Sequence, residues 1–378
     1  MLNVIKSTLI PTPMGKDSKK DIEKDYKKDN EKDSKKNIEK DIEKDSKMDI
    51  EKDNKMDIEK DNKKDNEKDS KMNKKKINIL VANPSGNITI FVKDAFDRKD
   101  YAKVADQLLD MKDLRGEQVA YICENDAPQI HGKMEMCGLE FCGNASRSFA
   151  LMRAIESGLK GNQIIRVEVS GVDEILDVEV NTDNNYTKVR MPRPKRIFDE
   201  EILGRTFRIV DFGGIMHVIV DKTQLKTQQF VHEPLANPKP QPHQDLRSQL
   251  QPQYPQNTYD DFEPTLQNFD KFKQHINEKF NPPAMGVMFW DADTNSMIPV
   301  VYVKDVDSTY FEGSCGSGTT ALSCAIASKL GDGEHKFVVK QPAGTIISTA
   351  IVKSGEIESV TIEGTVELSE TMQVEIEL

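Results

Sequence analysis

The chemistry of this chain sits in two short runs, Glu140-Phe141-Cys142-Gly143-Asn144-Ala145-Ser146-Arg147 and Glu312-Gly313-Ser314-Cys315-Gly316-Ser317-Gly318-Thr319-Thr320. Each places a cysteine followed by a glycine where a helix begins. A helix start offers unpaired backbone N–H groups and the positive end of the macrodipole, so a cysteine there is drawn toward thiolate and an anion can be held beside it. Two such starts facing each other would grip one carboxylate between two thiols. One thiolate removes the hydrogen from the carbon next to the carboxylate, and the opposing thiol delivers a proton to the other face. That reaction inverts a stereocentre and needs no cofactor.

The same residues admit plainer readings. Cysteine is often just a small buried hydrophobe, and that reading is kept for Cys123, in a strand, and Cys324, in the body of a helix. Cys137 stays open: five residues before Cys142, it is placed to line the site without doing chemistry. A zinc site from Cys123, His131, Cys137 and Cys142 lacks a knuckle spacing and leaves Cys315 unexplained, so no metal is expected. The run Gly316-Ser317-Gly318-Thr319-Thr320 lacks the lysine and the full spacing of a Walker A loop, yet it can still cradle an anion. His217 reads as a hydrogen-bonded strand histidine rather than a base. A structural disulfide between Cys142 and Cys315 would not require the small-residue helix start that both share.

The elements that position these runs follow from periodicity. Strands are predicted at 77–82 and 87–92, joined as a hairpin by Asn83-Pro84-Ser85-Gly86, then a helix over 100–111 with Val104, Leu108 and Leu109 on one face. Strands follow at 118–123, 129–136, 164–170, 174–180 and 187–191, with one helix from 142 to 156 closed by Gly158. The second half repeats the plan, with strands at 207–211, 215–220, 286–290 and 299–303 before a helix over 315–329 ended by Gly331. Strands at 336–340, 345–351, 359–362 and 373–376 finish the chain.

Residues 1–76 form a tail that from 16 to 76 is almost entirely Lys, Asp, Glu, Asn, Ser, Ile and Met, with Glu-Lys-Asp recurring mostly at an eight-residue step. That step fits neither coiled-coil period, so a disordered tail is predicted. The tail holds 23 Lys against 20 acids, which leaves the body at net −14 and argues against nucleic acid as its partner. No apolar stretch is long enough to span a bilayer and no signal-peptide core is present, so a cytoplasmic protein without a membrane partner is expected. Five cysteines spread over 378 residues do not resemble a secreted disulfide scaffold. The body divides into 77–195, 196–355 with a Pro/Gln-rich insertion at 234–283, and terminal strands over 356–378 that pack back on the first domain. Within the insertion, 235–261 reads as a mobile loop and 266–280 as a surface helix.

At these residues the chain resembles the diaminopimelate epimerase superfamily, the amino-acid racemases and epimerases that work without pyridoxal phosphate. Cys142-Gly143-Asn144 with Arg147 and Cys315-Gly316-Ser317-Gly318 match the two cysteine motifs of that family, Gly86-Asn87 its early Gly-Asn and Gln118 its glutamine after the first helix. The resemblance implies an α+β fold of two pseudo-symmetric domains, each a β-barrel-like sheet wrapped around a central helix, with the active site in the cleft between them. It further implies Cys142 and Cys315 as acid/base thiols, the N–H groups of Gly143, Asn144, Gly316 and Ser317 as carboxylate binders, and Asn87, Gln118 and Glu312 in the same pocket. Diaminopimelate epimerases carry Asn-Pro-His where this chain has Ile215-Met216-His217, an asparagine where Gly286 falls, and a Glu-Arg-Gly run where it has Asp307-Ser308-Thr309. Those groups surround the far end of that substrate. The motif segments are most similar to the histidine racemase branch of opine metallophore synthesis, which makes a small-molecule amino acid the partner and histidine the first substrate. A homodimer is compatible with this reading. The alternatives are a diaminopimelate epimerase, a proline or hydroxyproline racemase, and a non-catalytic amino-acid-binding homologue.

Overall fold

Hairpin, helix and strand build the frame of the first cysteine. The computed structural model describes residues 74–125, 127–223 and 262–378; the tail up to residue 73 and the 235–261 loop lie outside the described residues. Strands β1 (Lys74–Asn83) and β2 (Thr89–Val92) pair antiparallel. Their turn is held by the Gly86 N–H donating to Asn83 Oδ1 at 2.7 Å, with Ser85 and Gly86 both at positive φ. Helix α1 (Tyr101–Asp110) buries Tyr101, Val104, Ala105 and Leu108, the spacing of one helix face. It delivers the chain to β3 (Gln118–Cys123), which lies parallel to β2 with Gln118 beside Thr89. After β4 (Gly132–Met136) comes α2 (Gly143–Glu156), then β5 (Asn162–Val169), β6 (Leu176–Asn181) and β7 (Tyr186–Arg190).

Helix α2 is surrounded rather than laid on a surface, since 11 of its 14 residues are buried. Phe149, Leu151 and Met152 pack with Met134, Ile165, Val178 and Val189 from its own half, and with Ile346, Ala350 and Ile362 from late strands.

The second half runs β8 (Arg196–Ile202), β9 (Arg205–Asp211), β10 (Met216–Asp221), α3 (Leu266–Lys279), β11 (Ala284–Asp291), β12 (Ser296–Val303) and β13 (Ser308–Phe311). Helix α4 (Gly316–Leu330) follows, then β14 (Gly333–Gln341), β15 (Gly344–Lys353), β16 (Glu356–Thr365), β17 (Glu367–Leu368) and β18 (Met372–Glu377). Among the described residues 18 strands form one hydrogen-bonded network. Strand β16 pairs with β7 through Ile362↔Val189 and β17 with β1 through Ala82↔Leu368, which joins the end of the chain to its beginning. The fold is α+β and dominated by sheet. Among the described residues no helix is long and apolar enough to cross a membrane.

Several expectations need correction. Strand β1 begins at Lys74, inside the segment read as tail, because ladder bonds use backbone groups and lysines can extend a strand. Helix α3 is not confined to the surface: Phe269, Phe272 and Ile276 are fully buried in a cluster with Phe207, Phe262 and Phe289. Strands β8, β13 and β17 are absent from the sequence-based expectation. In β8 the charged residues obscure the alternation, while β13 and β17 are too short to show a period.

Candidate active site

Both cysteines are the N-cap residues of their helices. Cys142 has φ −128° and ψ 109°, and Cys315 φ −127° and ψ 112°, the extended geometry an N-cap requires. A sulfur here does what a serine or aspartate oxygen usually does: Cys142 Sγ accepts from the Ala145 N–H at 3.4 Å, and Cys315 Sγ from the Gly318 N–H at 3.2 Å. The cap carbonyls are also matched, with Ser146 Oγ donating to Cys142 O at 2.7 Å and Thr319 Oγ1 to Cys315 O at 2.6 Å.

The two helix starts converge on one cavity of about 60 Å³. It is lined by Asn87, Gln118, Cys142, Gly143, Asn144, Glu312, Cys315, Gly316 and Ser317, the nine residues expected from the sequence to share one pocket. Close approach depends on the two glycines. A Cβ at Gly143 would stand 3.0 Å from Ile362 Cδ1 and one at Gly316 3.2 Å from the same atom, so both helix starts press on one side chain of β16.

Amides surround Cys142. Its thiol donates to Gln118 Oε1 at 3.4 Å, and the Gln118 amide is fixed by donating to Asn87 Oδ1 at 2.9 Å and Thr89 Oγ1 at 2.7 Å. Asn144 Nδ2 also donates to Asn87 Oδ1, at 3.3 Å. Below them Arg147 is fully buried, with its guanidinium spread over Asn144 Oδ1, Thr187 Oγ1 and the carbonyls of Pro84 and Gly364 at 3.0–3.2 Å. Desolvation draws its pKa down to about 10, and the neighbouring Cys142 partly offsets this. Arg147 thus ties the hairpin turn, Asn144 and β16 to the helix start.

A different set surrounds Cys315. Glu312 interacts with its thiol, and β13 sets that carboxylate in place, the Glu312 N–H donating to Pro299 O at 3.1 Å. Ser317 Oγ lies 3.4 Å from Cys315 Sγ and 3.1 Å from His217 Nε2, which links thiol, hydroxyl and imidazole in a chain. His217 is fully buried, its Nδ1 has no hydrogen-bond partner among the described residues, and burial alone holds its pKa down to about 3, so the ring is neutral. From the far side Gln341 Oε1 accepts the Cys315 N–H at 2.7 Å, and its Nε2 donates to Thr319 Oγ1 at 3.0 Å.

Burial wins over the helix start at both sulfurs. The N–H bonds from Ala145 and Gly318 favour thiolate, yet desolvation raises the Cys142 thiol, and desolvation together with the Glu312 charge raises Cys315 well above its ordinary value. Burial here therefore opposes the thiolate character expected of a cysteine at a helix start. Glu312 keeps some surface on the cavity, but the protein packed round it is dense enough that desolvation raises its carboxyl too.

The remaining sequence assignments divide cleanly. All five cysteines are free thiols. Cys324 is buried, and Cys137 packs with Leu139 and Tyr121 on the α1 side of the sheet, away from the cavity, its thiol pushed up to about 12 by burial. His131 Nδ1 accepts the Arg166 N–H instead of turning toward the cysteines, and among the described residues no three His, Cys, Asp or Glu side chains are grouped to hold a metal. Sequence reasoning did not single out Glu140, Phe141, Met191 and Ser314, which also line the cavity, or Gln341, which positions Cys315. Glu140, Phe141 and Ser314 lie inside the two cysteine runs, where they carry no assigned role, so residue order already points to them; Gln341 is brought in by β14 and leaves no local mark.

Known proteins similar to this chain fall in one family. The family described as "Histidine racemase CntK N-terminal domain" matches residues 76–242 and 259–374. The chain is 33% identical to the histidine racemase of Fusobacterium nucleatum subsp. nucleatum over 254 residues, 65% of this chain and 80% of that protein. To the histidine racemase of Staphylococcus aureus it is 27% identical over 287 residues, 74% of this chain and 90% of that protein. A solved structure described as a predicted epimerase of Pseudomonas aeruginosa aligns with TM-score 0.51 at 11% identity, covering 80% of this chain and 99% of that one, which shows the shared fold. With the family matched over most of its length and two cysteine-capped helices on one cavity, this chain belongs to the histidine racemase family and is an amino-acid racemase.

Proposed function

We propose that Cys142 and Cys315 are the acid/base pair of this racemase, acting without a cofactor, and that histidine is the substrate. The observation that carries the mechanism is the convergence of two N-cap thiols, with the first-turn N–H groups of Gly143, Asn144, Gly316 and Ser317, on one cavity. N–H groups in a first helical turn have no intrahelical acceptor, and these four residues all line the cavity, a setting for the α-carboxylate. With the carboxylate so held, the α-carbon lies between the sulfurs. One sulfur, as thiolate, takes the α-proton: the C–H bond breaks, an S–H bond forms, and the electron pair delocalises into the carboxylate. The opposite thiol then gives its proton to the other face and is left as thiolate, so each turnover exchanges the roles of the two sulfurs. Glu312 is the proton acceptor beside Cys315. At Cys142 the thiol donates to the Gln118 carbonyl, which holds the sulfur and its proton in place beside the cavity until the substrate is bound.

Histidine as substrate is supported by the two curated relatives named as histidine racemases. The helices α2 and α4, each started by a cysteine-glycine pair and surrounded by strands, are read as the centres of two pseudo-symmetric domains, 77–195 and 196–355. The test is α-hydrogen exchange. Reduced protein incubated with L-histidine in deuterated buffer should give D-histidine carrying α-deuterium, read by chiral chromatography and mass. Protein that exchanges no α-hydrogen of any amino acid would overturn the reading.

A further inference from the structure

Beside the thiol cavity lies a second one of about 430 Å³. Glu140, Phe141, Met191 and Ser317 line both, so the two spaces adjoin beside the first turns of α2 and α4. The thiol cavity holds little more than an amino-acid backbone, and the larger one is where a side chain leaving the α-carbon has room. Its far wall is mainly apolar, built from Val172, Pro192, Phe212, Ile215, Ala284 and Val303. Among the described residues one ionisable side chain borders it, Glu140.

The backbone at Glu140 is held on three sides. Leu139 sits at φ 58°, its N–H donating to Met136 O at 2.9 Å, which turns the chain toward the cavity. Ser170 Oγ donates to Glu140 O at 2.9 Å. Gly171, at φ +80°, lies so close that a Cβ there would stand 2.1 Å from Phe141 N and 2.5 Å from the Glu140 carbonyl carbon. A carboxylate on so fixed a strap is preorganised to choose among ligands.

We propose that the larger cavity takes the substrate side chain and that Glu140 selects it by accepting a hydrogen bond from a side-chain N–H. This rests on the racemase reading of the thiol cavity and adds its specificity residue. A flat ring suits the apolar walls, and its N–H suits the carboxylate. An anionic side chain would meet Glu140 with no lysine or arginine among the described wall residues to offset it, and a purely apolar one offers Glu140 no donor.

The test compares kcat/KM for racemisation of L-histidine, its two ring N-methyl derivatives, L-phenylalanine and L-glutamate by wild type and Glu140→Gln, with thermal melts as a folding check. Wild type should prefer histidine and reject one N-methyl isomer far more strongly than the other. In Glu140→Gln the preference for histidine over phenylalanine should fall roughly tenfold or more, mainly through KM, as expected for loss of a hydrogen bond to a charged group. Equal use of histidine and both N-methyl forms by wild type would overturn the inference without needing a variant. So would an unchanged histidine-to-phenylalanine ratio in Glu140→Gln while wild type racemises histidine. If wild type exchanges no amino acid, the racemase reading itself fails, and this inference with it.

Discussion

The first turn of α2 and the first turn of α4 hold their cysteines with nearly the same backbone angles and the same two cap bonds, and then surround them with different chemistry. Cys142 faces the amides of Gln118, Asn87 and Asn144, with the buried Arg147 below. Cys315 faces a carboxylate and a hydroxyl backed by a neutral histidine. The backbone geometry is shared, while the side chains around the two sulfurs differ in charge and in hydrogen-bonding chemistry. On the proposed two-thiol mechanism, the fixed dipoles and one positive charge around Cys142 would stabilise developing charge, whereas the groups around Cys315 would accept a proton or pass one on.

The largest effect expected is from removing one sulfur. Cys142→Ser and Cys315→Ser should each lower racemisation by roughly 10² to 10⁴, the range for a general acid/base group. With a substrate bearing a leaving group on the β-carbon, which needs proton abstraction alone, one variant should keep elimination of the L form and the other that of the D form. Normal racemisation by both variants would end the two-thiol account, and loss of elimination from both enantiomers in either one would break the division of labour.

Position N3 of the two helices separates them next. It is Ala145 in α2 but Gly318 in α4, where a Cβ would come within 2.2 Å of Met288 Sδ and 3.1 Å of Cys315 Sγ. Gly318→Ala should cost about 1–3 kcal/mol of stability by overpacking and should disturb Cys315. The reverse change, Ala145→Gly, should cost only about 1 kcal/mol in helix propensity. Urea melts of both variants check this, and equal costs would mean that Met288 yields freely.

A smaller kinetic effect is expected at the hydroxyl relay. Ser317→Ala breaks the path from His217 to Cys315 and should slow proton abstraction by Cys315 about tenfold; because the two enantiomers have equal free energy, kcat/KM for racemisation must fall equally from both sides. The asymmetry is read in the irreversible elimination of the β-substituted substrate, which should slow for the enantiomer that Cys315 deprotonates and less for the other. Equal slowing of elimination from both enantiomers would show that Ser317 serves the carboxylate rather than the thiol.

The mildest test uses pH. Folded His217 stays neutral down to about 3, whereas an unfolded histidine takes up its proton near 6.5. Between those values the unfolded state binds more protons, so this contribution to stability is full above about 6.5 and is lost as pH falls, by at most about 1.4 kcal/mol per unit. Urea midpoints of wild type and His217→Gln across this range should converge as the pH drops. Parallel curves would mean that water reaches the ring.

Much of this molecule is legible in its residue order because the signals are local. The cysteine-glycine helix starts at Cys142 and Cys315, the hairpin at Asn83-Pro84-Ser85-Gly86 and the strand at 118–123 each announce themselves through neighbours a few residues apart. Cap chemistry, turn chemistry and apolar spacing act over that distance, so residue order suffices to place them. Tertiary structure decided the rest. Gln341, 26 residues beyond Cys315, binds its N–H only because β14 returns it there, and His217 reaches the site only because Gly286 leaves room, a Cβ there falling 2.5 Å from its Nδ1. The state of the thiols was decided in the same way. A helix start read from sequence promises thiolate, but how much water a sulfur keeps depends on Ile362, Met288 and other residues brought to it by distant strands, and at both cysteines that desolvation outweighs the local N–H groups.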